Sequence, residues 1–439
     1  MKIDNINERI KKIECMYQNA SEKQQFNGGL AISFQGDIRL KKVYGYADAD
    51  DTELLSTAHR FELASLVKQF TASAILLLES EGKLQLSDTL DKYYPDIPYA
   101  GITIYHLLTH TSGLPFLEEA FIEKQEEIDM QKLLEKLMVN DEHSLFLPQA
   151  EFCYNNLNYD LLADIIEKVS GDSYTVFITN KLFLPAGMCD TKIWTEDGKQ
   201  YAIPRYYENG CILAAADSWG GSFGKLFRQL HGSGMLYSTL DDMLNWDRAL
   251  RKGYPLSRDA QANWLMRTRL LDGSFSSYSL GWNIDSSAVF GSYLHHTGNL
   301  PGCLNKFWRF LDTELCVVVL SNEEKEALCM DQLWMNTIAL LEGRECAAIH
   351  GAKDRRCVTD TSLFTLYCGE YEPFVSQKNV RIGIEGEKLY LYDFYHTLCN
   401  ELIPVGDHLF TTVYLDWDFY LDGKRIVVKD ENITLNRIT

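Results

Sequence analysis

No stretch of the chain reaches the roughly 18 consecutive apolar residues that a membrane-spanning helix needs, so no span is expected. The first ten residues, Met1-Lys2-Ile3-Asp4-Asn5-Ile6-Asn7-Glu8-Arg9-Ile10, form a charged amphipathic pattern without the apolar centre of a secretory leader. Paired cysteines are missing too. The 11 cysteines are scattered, odd in number and contain no CxxC. That usage argues against a disulfide framework and for reduced thiols, so a cytoplasmic protein is expected. Basic charge is in deficit: 42 Lys and Arg stand against 62 Asp and Glu, a net charge of −20. Nucleic acid and anionic membrane surfaces both call for basic patches, so neither is an expected partner. The acidity is read as a solubility device.

What the chain does have is material for a large core, with 439 residues of which 46% are hydrophobic. Such a length fits two or three domains, or one large α/β enzyme with a small module. The stretch that organises the reading is Phe61-Glu62-Leu63-Ala64-Ser65-Leu66-Val67-Lys68-Gln69-Phe70. A long apolar run follows, from Phe70 to Leu78, and stops at Gly82. The run is too long for an ordinary strand and ends at a helix-capping glycine, so a buried helix is expected. Ser65 and Lys68, three apart, then share a face. A serine in a first helical turn sits beside unpaired N–H groups that favour a developing anion. Serine needs a base to become a nucleophile, and lysine serves only if its pKa is lowered from about 10.4. Taken alone, Ser-x-x-Lys also fits an ordinary exposed helix face.

Two later stretches change its meaning: Tyr154-Asn155-Asn156 and His296-Thr297-Gly298. Serine-lysine, then Tyr-x-Asn, then a basic residue with Thr-Gly, in that order, resembles the three-part signature of the serine β-lactamase and penicillin-binding-protein superfamily. The chain is most similar to its class C-like branch, which also holds D-amino-acid peptidases and esterases. Further stretches carry the resemblance: residues 102–114 around His106-Leu107-Leu108-Thr109-His110-Thr111-Ser112-Gly113, residues 232–239, and Leu280-Gly281-Trp282. It covers roughly residues 26–325. The implied fold is α/β of the α+β type, an antiparallel sheet flanked by helices with a helical subdomain. The domains expected are a hydrolase domain over 1–345, a linker over 346–361, and a small antiparallel β-domain over 362–439, where apolar and polar residues alternate.

The resemblance assigns roles. Ser65 is the nucleophile. Lys68 takes its proton, directly or through Tyr154, and a tyrosine between two cations has a lowered pKa. Asn156 holds Lys68 and the substrate amide; Asn155 differs from the residues most usual at the middle position, a departure expected to matter little because the outer two carry the resemblance. The oxyanion hole is the backbone N–H of Ser65 with that of Asn299, each such donor contributing roughly 2.7–4 kcal/mol. Gly298 is expected to let a substrate backbone approach closely. His296 stands where the β-lactamase motif has lysine. With a reference pKa near 6.5 it is expected to be partly charged, which points from β-lactamase toward peptidase or esterase. His106 and His110 have zinc-ligand spacing, but no HExxH glutamate lies between them, and a buried helix end beside the site is the preferred reading. No metal or cofactor is implied.

The expected function is therefore acylation of Ser65 by a D-amino-acid-containing peptide, amide or ester. Alternatives are a β-lactamase or penicillin-binding protein, and a weakly catalytic binding or sensing module. The partner is a small molecule or short peptide; oligomeric state is left open. Other expectations are helices over 2–25, 157–171, 241–250 and 330–341, a helix start near 86–95 with a proline stop, strands over 28–35, 40–44, 306–310 and 316–321, an acidic helical insertion over 115–150, and an irregular loop over 192–231.

Overall fold

Two strands, Gly28–Phe34 and Leu315–Ser321, are buried at every residue. Only a strand covered on both faces can be apolar on both, and these two pair antiparallel from Gly28↔Ser321 to Phe34↔Leu315. The computed structural model describes residues 5–117, 129–139, 144–193, 200–208, 211–214, 230–324, 327–349, 356–357, 360–373, 379–394, 397–412, 418–429 and 433–438. It divides into two units, Met1–Glu14 with Asn27–Glu323, and Cys15–Phe26 with Glu324–Thr439.

In the first unit the two buried strands lie inside a seven-stranded antiparallel sheet. Its order is Asp37–Tyr44, Gly28–Phe34, Leu315–Ser321, Cys303–Phe310, Gly291–Leu300, Trp282–Ser287 and Tyr278–Ser279. The α+β architecture with an antiparallel sheet is as expected. The helix Lys68–Ser80 is buried continuously from Lys68 to Leu76, as befits a helix apolar on all sides. It stops before Gly82, whose φ of 69° is left-handed. The helix Asn156–Ser170 ends likewise at Gly171, with φ 80°.

The helix expected near 86–95 is reduced to a 3-10 turn, Leu90–Lys92. The backbone there is engaged elsewhere: Leu90 N–H donates to Ile102 O, and Asp88 O accepts from Ile104 N–H. Those cross-chain bonds displace the i→i−4 ladder that a helix requires. Within 192–231, the described residues include a hairpin, Arg205–Glu208 with Cys211–Ala214, where an irregular loop is expected; residues 194–199, 209–210 and 215–229 lie outside the described ones. Of the 115–150 insertion, Met130–Val139 is helical, with Leu133 and Leu137 buried; 118–128 and 140–143 lie outside the described residues, as do 350–355 and 358–359 of the expected linker.

The second unit contains the helix Ala327–Glu342 and eight antiparallel strands in simple sequence order. The first and last meet: Tyr371 bridges Arg437, Glu372 N–H donates to Asn436 O at 2.9 Å, and Ile438 N–H to Glu370 O at 2.7 Å. Joining the ends removes both sheet edges, so this is a small closed barrel. Tyr371, Val380, Leu389, Phe410, Phe419 and Ile426 fill it. Among the described residues, no helix is long and apolar enough to cross a membrane.

One buried ion cluster ties a helix to the main sheet. Asp247, on the helix Leu240–Arg251, accepts from Arg251 Nε and Arg309 Nε, both at 2.7 Å. Arg309 is 1% exposed and lies 5.9 Å from the rings of both Trp264 and Trp282. Removing the carboxylate strands a buried guanidinium. Asp247→Ala is therefore expected to cost about 3–5 kcal/mol, read as a lowered denaturant midpoint at unchanged slope; a loss below about 1 kcal/mol would contradict it.

Candidate active site

Ser65 is held one turn ahead of the α-helix expected to carry it. It lies in the 3-10 turn Ala64–Val67, which runs directly into Lys68–Ser80. Ala64 has φ +47°, a region L-residues rarely occupy. Its surroundings impose the conformation. Leu63 N–H donates to Leu236 O at 2.8 Å, Leu66 N–H to Leu63 O at 3.1 Å, and Asn305 Nδ2 to Glu62 O at 2.8 Å. A sheet residue, Asn305, thus positions the segment that presents Ser65.

Lys68 is fully buried. An ammonium has three N–H donors and no acceptor, and three acceptors meet it: Ser65 Oγ at 3.0 Å, Asn156 Oδ1 at 2.8 Å and Ser233 O at 3.0 Å. Its Nζ also stands 4.9 Å from the Tyr154 ring centre and 5.7 Å from that of Tyr159. Three segments far apart in sequence therefore converge on one nitrogen.

Tyr154 precedes the helix that carries Asn156. Its ring packs on His110 at 4.3 Å and lies 6.3 Å from the ring of His296. His110 is fully buried, and its Nδ1 accepts from Asn155 N–H and Asn158 Nδ2, both at 3.1 Å. The 106–115 stretch is thus a clamp on the Tyr-Asn-Asn segment. Asn155 belongs to it as well. Its Oδ1 caps the helix at Leu157 N–H, 3.0 Å away, while its Nδ2 donates to Leu114 O and Pro115 O. The middle residue thus holds the helix start and the 114–115 loop in place. His106 Nδ1 accepts from Thr103 N–H, closing a capping box at the start of Ile104–Leu108.

His296 is 2% exposed. Its Nδ1 faces Thr297 O at 2.5 Å and its Nε2 faces Tyr278 OH at 3.1 Å. A carbonyl only accepts, so Nδ1 carries a proton, and Nε2 shares its bond with the tyrosine hydroxyl. Burial first, and the Lys68 charge second, push its pKa down to about 3. This corrects the expected partial charge. Tyr154 has a cation on the Lys68 side and a neutral imidazole on the other. His110 is pushed down for the same two reasons in the same order, burial and then Lys68.

Gly298 permits a close approach, but to the protein itself. A Cβ there would sit 2.2 Å from Leu63 O. The strand Gly291–Leu300 lies directly on the turn that carries Ser65 because position 298 has no side chain. Gly281, at φ +85°, does the same for the helix: a Cβ would stand 2.8 Å from Lys68 O. Thr297 is half-buried and Asn299 exposed. Pairing with Trp282–Ser287 ends at His295↔Asn283, so among the described residues the outer edge of 296–300 has no strand partner. With the Thr297 carbonyl taken by His296, the backbone at Asn299 is the part of this edge placed to meet an extended ligand.

Sequence reasoning did not single out Asp160, Ser233, Tyr278 or Asn305. Asp160 lies four residues after Asn156 on one helix, hence on the same face, and that spacing was the signal available. The other three are brought in by strand pairing and loop contacts.

The sequence profile of the β-lactamase family matches residues 13–341. The chain belongs to this family. A penicillin-binding protein of Bacillus subtilis (strain 168) is 30% identical over 411 residues, 91% of each chain. A second, putative one from that strain is 32% identical over 69% of this chain and 72% of its own. Among solved structures, the octameric penicillin-binding protein homologue of Pyrococcus abyssi superposes with a TM-score of 0.66 at 21% identity, over 97% of this chain and 99% of its own. The D-amino acid amidase of Ochrobactrum anthropi SV3, complexed with D-phenylalanine, superposes at 0.60 with 21% identity, over 72% and 92%. These two likenesses establish the fold.

Two outcomes are expected of this geometry. Gly298→Ala should push the strand off the nucleophile turn, costing about 1–3 kcal/mol and slowing acylation; calorimetry and the rate of covalent labelling check both, and wild-type values for both would contradict the packing. His296 should make stability depend on pH. Its folded pKa of about 3 lies below its ordinary 6.5, so between the two the unfolded chain binds the extra proton. The wild type should lose stability relative to His296→Gln as pH falls from about 6.5 toward about 3, by up to about 1.4 kcal/mol per pH unit. Parallel pH-stability curves for the two proteins would rule out a buried neutral His296.

Proposed function

We propose that the protein is a serine hydrolase that forms an acyl-enzyme on Ser65, acting on D-amino-acid-containing peptides, amides or esters. The observation that carries the reading is the 3.0 Å contact between Ser65 Oγ and the fully buried Lys68 Nζ. A base within hydrogen-bond reach of a half-exposed hydroxyl is what acyl transfer requires. In this reading Ser65 Oγ attacks the substrate carbonyl carbon while its proton passes to Lys68 or Tyr154 in the unprotonated form. The carbonyl electron pair moves onto oxygen, held by the N–H groups of Ser65 and Asn299. Collapse breaks the bond to the leaving group, which receives the proton, and water repeats the sequence on the ester. Asn156 orients Lys68 through the 2.8 Å bond and supplies its remaining amide protons to the substrate.

The substrate class is supported from two sides. The fold is shared with a D-amino acid amidase, and the sequence is similar to penicillin-binding proteins. Within that range, the state of His296 weighs against ligands held by a carboxylate. Both its nitrogens are engaged inside the protein, and the ring offers no positive charge. Amides and esters are favoured over β-lactams, so a β-lactamase or penicillin-binding protein is the second reading. A binding or sensing module needs no complete proton shuttle, which places it third. Cytoplasmic residence is part of the proposal, supported by cysteines that are scattered, odd in number and without a CxxC pair.

The test is intact mass after exposure to a fluorophosphonate and, separately, to a penicillin, for wild type and Ser65→Ala. A fluorophosphonate adduct that vanishes in Ser65→Ala is expected, followed by turnover of D-aminoacyl amides or esters. A stable penicillin adduct moves the assignment to a penicillin-binding protein, and rapid penicillin turnover to a β-lactamase. No adduct and no turnover would leave the binding module.

A further inference from the structure

Asp160 is 4% exposed, on the same helix as Asn156 and one turn further on. Both of its oxygens accept from Ser233, Oδ1 from the N–H and Oδ2 from Oγ, each at 3.1 Å, and the Gly232 N–H also bonds to the carboxylate. The carbonyl of that same Ser233 accepts from Lys68 Nζ at 3.0 Å. A buried carboxylate is thus coupled to the buried catalytic lysine through one serine. Removing either charge alone would leave the other stranded in a desolvated site.

We propose that Asp160, acting through Ser233, is a positioning residue that stabilises the ammonium form of Lys68 and thereby sets the pH above which Ser65 becomes nucleophilic. The inference rests on the hydrolase reading above. Among the described residues, the titratable groups that face Lys68 include Asp160, Tyr154, Tyr159, His110 and His296. Both histidines are neutral, so Asp160 is the anion among them. The groups facing Asp160 are Lys68, Ser233 and Tyr174, whose hydroxyl is tied to Thr71 Oγ1 at 2.6 Å. Burial pushes the Asp160 carboxyl up to about 6, while the Lys68 charge and the Ser233 bonds oppose the rise. Its charge is therefore lost near the acid end of the working range, together with its hold on the lysine proton.

The experiment is the second-order rate of fluorophosphonate labelling against pH for wild type, Asp160→Asn and Ser233→Ala, each confirmed folded by its melting curve. Removing the negative charge disfavours the ammonium, so the acid limb should move to lower pH. An opposite charge at close range shifts a pKa by about one unit or more. One pH unit below the wild-type midpoint, Asp160→Asn should then run about fivefold closer to its own plateau than wild type does. Ser233→Ala removes a bond that keeps Asp160 ionised and should shift the limb the same way by less, which preserves the test if Asp160→Asn does not fold. A limb that stays in place with only a lowered plateau would overturn the proposal and leave Asp160 a structural residue. A wild type that takes no label would overturn the hydrolase reading and this inference with it.

Discussion

A buried lysine is the constraint on which the rest of this structure depends. Lys68 has no exposed surface, and a lysine out of water must find partners for its N–H groups or shed its proton. Meeting that need draws together Ser65 on the nucleophile turn, Asn156 at the start of the next core helix, and the carbonyl of Ser233 on a loop between them and the sheet. Each contact places a group that acyl transfer uses. The same desolvation that endangers the fold gives a 3.0 Å serine–lysine contact its strength, because a low-dielectric site weakens charges less than water does.

Electrostatics around that nitrogen is asymmetric. His110 and His296 are both neutral, held so by burial and by the lysine itself. The negative charge comes from Asp160, reached through Ser233. A lysine in place of His296 would bring a second cation beside Tyr154. With histidine, the site faces its ligand with less positive charge than the motif order suggests. Under the proposed function, that charge distribution favours uncharged acyl compounds over carboxylate-bearing ones.

Several motif residues also act as packing devices. The glycine of His-Thr-Gly clears space for Leu63 O, and the glycine of Leu-Gly-Trp clears space for Lys68 O. Asn155 caps a helix and ties down the loop at 114–115. The strained φ of Ala64 is maintained by the strand at 236–238 and by Asn305. Such positions transmit a packing error directly to the nucleophile, since interiors are close-packed and small displacements are not absorbed locally.

Much of the architecture was legible in residue order alone. Strands 28–34 and 315–321 are apolar on both faces, and the helices ending at Gly82 and Gly171 carry their own caps; these are local signals, written in adjacent residues. The Ser65–Lys68 pair was legible because helical spacing makes neighbours of residues three apart. Where distant segments compete, local reading failed: residues 86–90 pair with 102–104 instead of forming a helix. The chain by itself thus determined which residue types meet at the candidate site and in what order. Tertiary structure decided their charge states and partners. His296 is neutral because it is buried against Tyr278, and Asp160 meets Ser233 across 73 residues of chain. Desolvation and contact are properties of the packed volume, and no local pattern of residues encodes them.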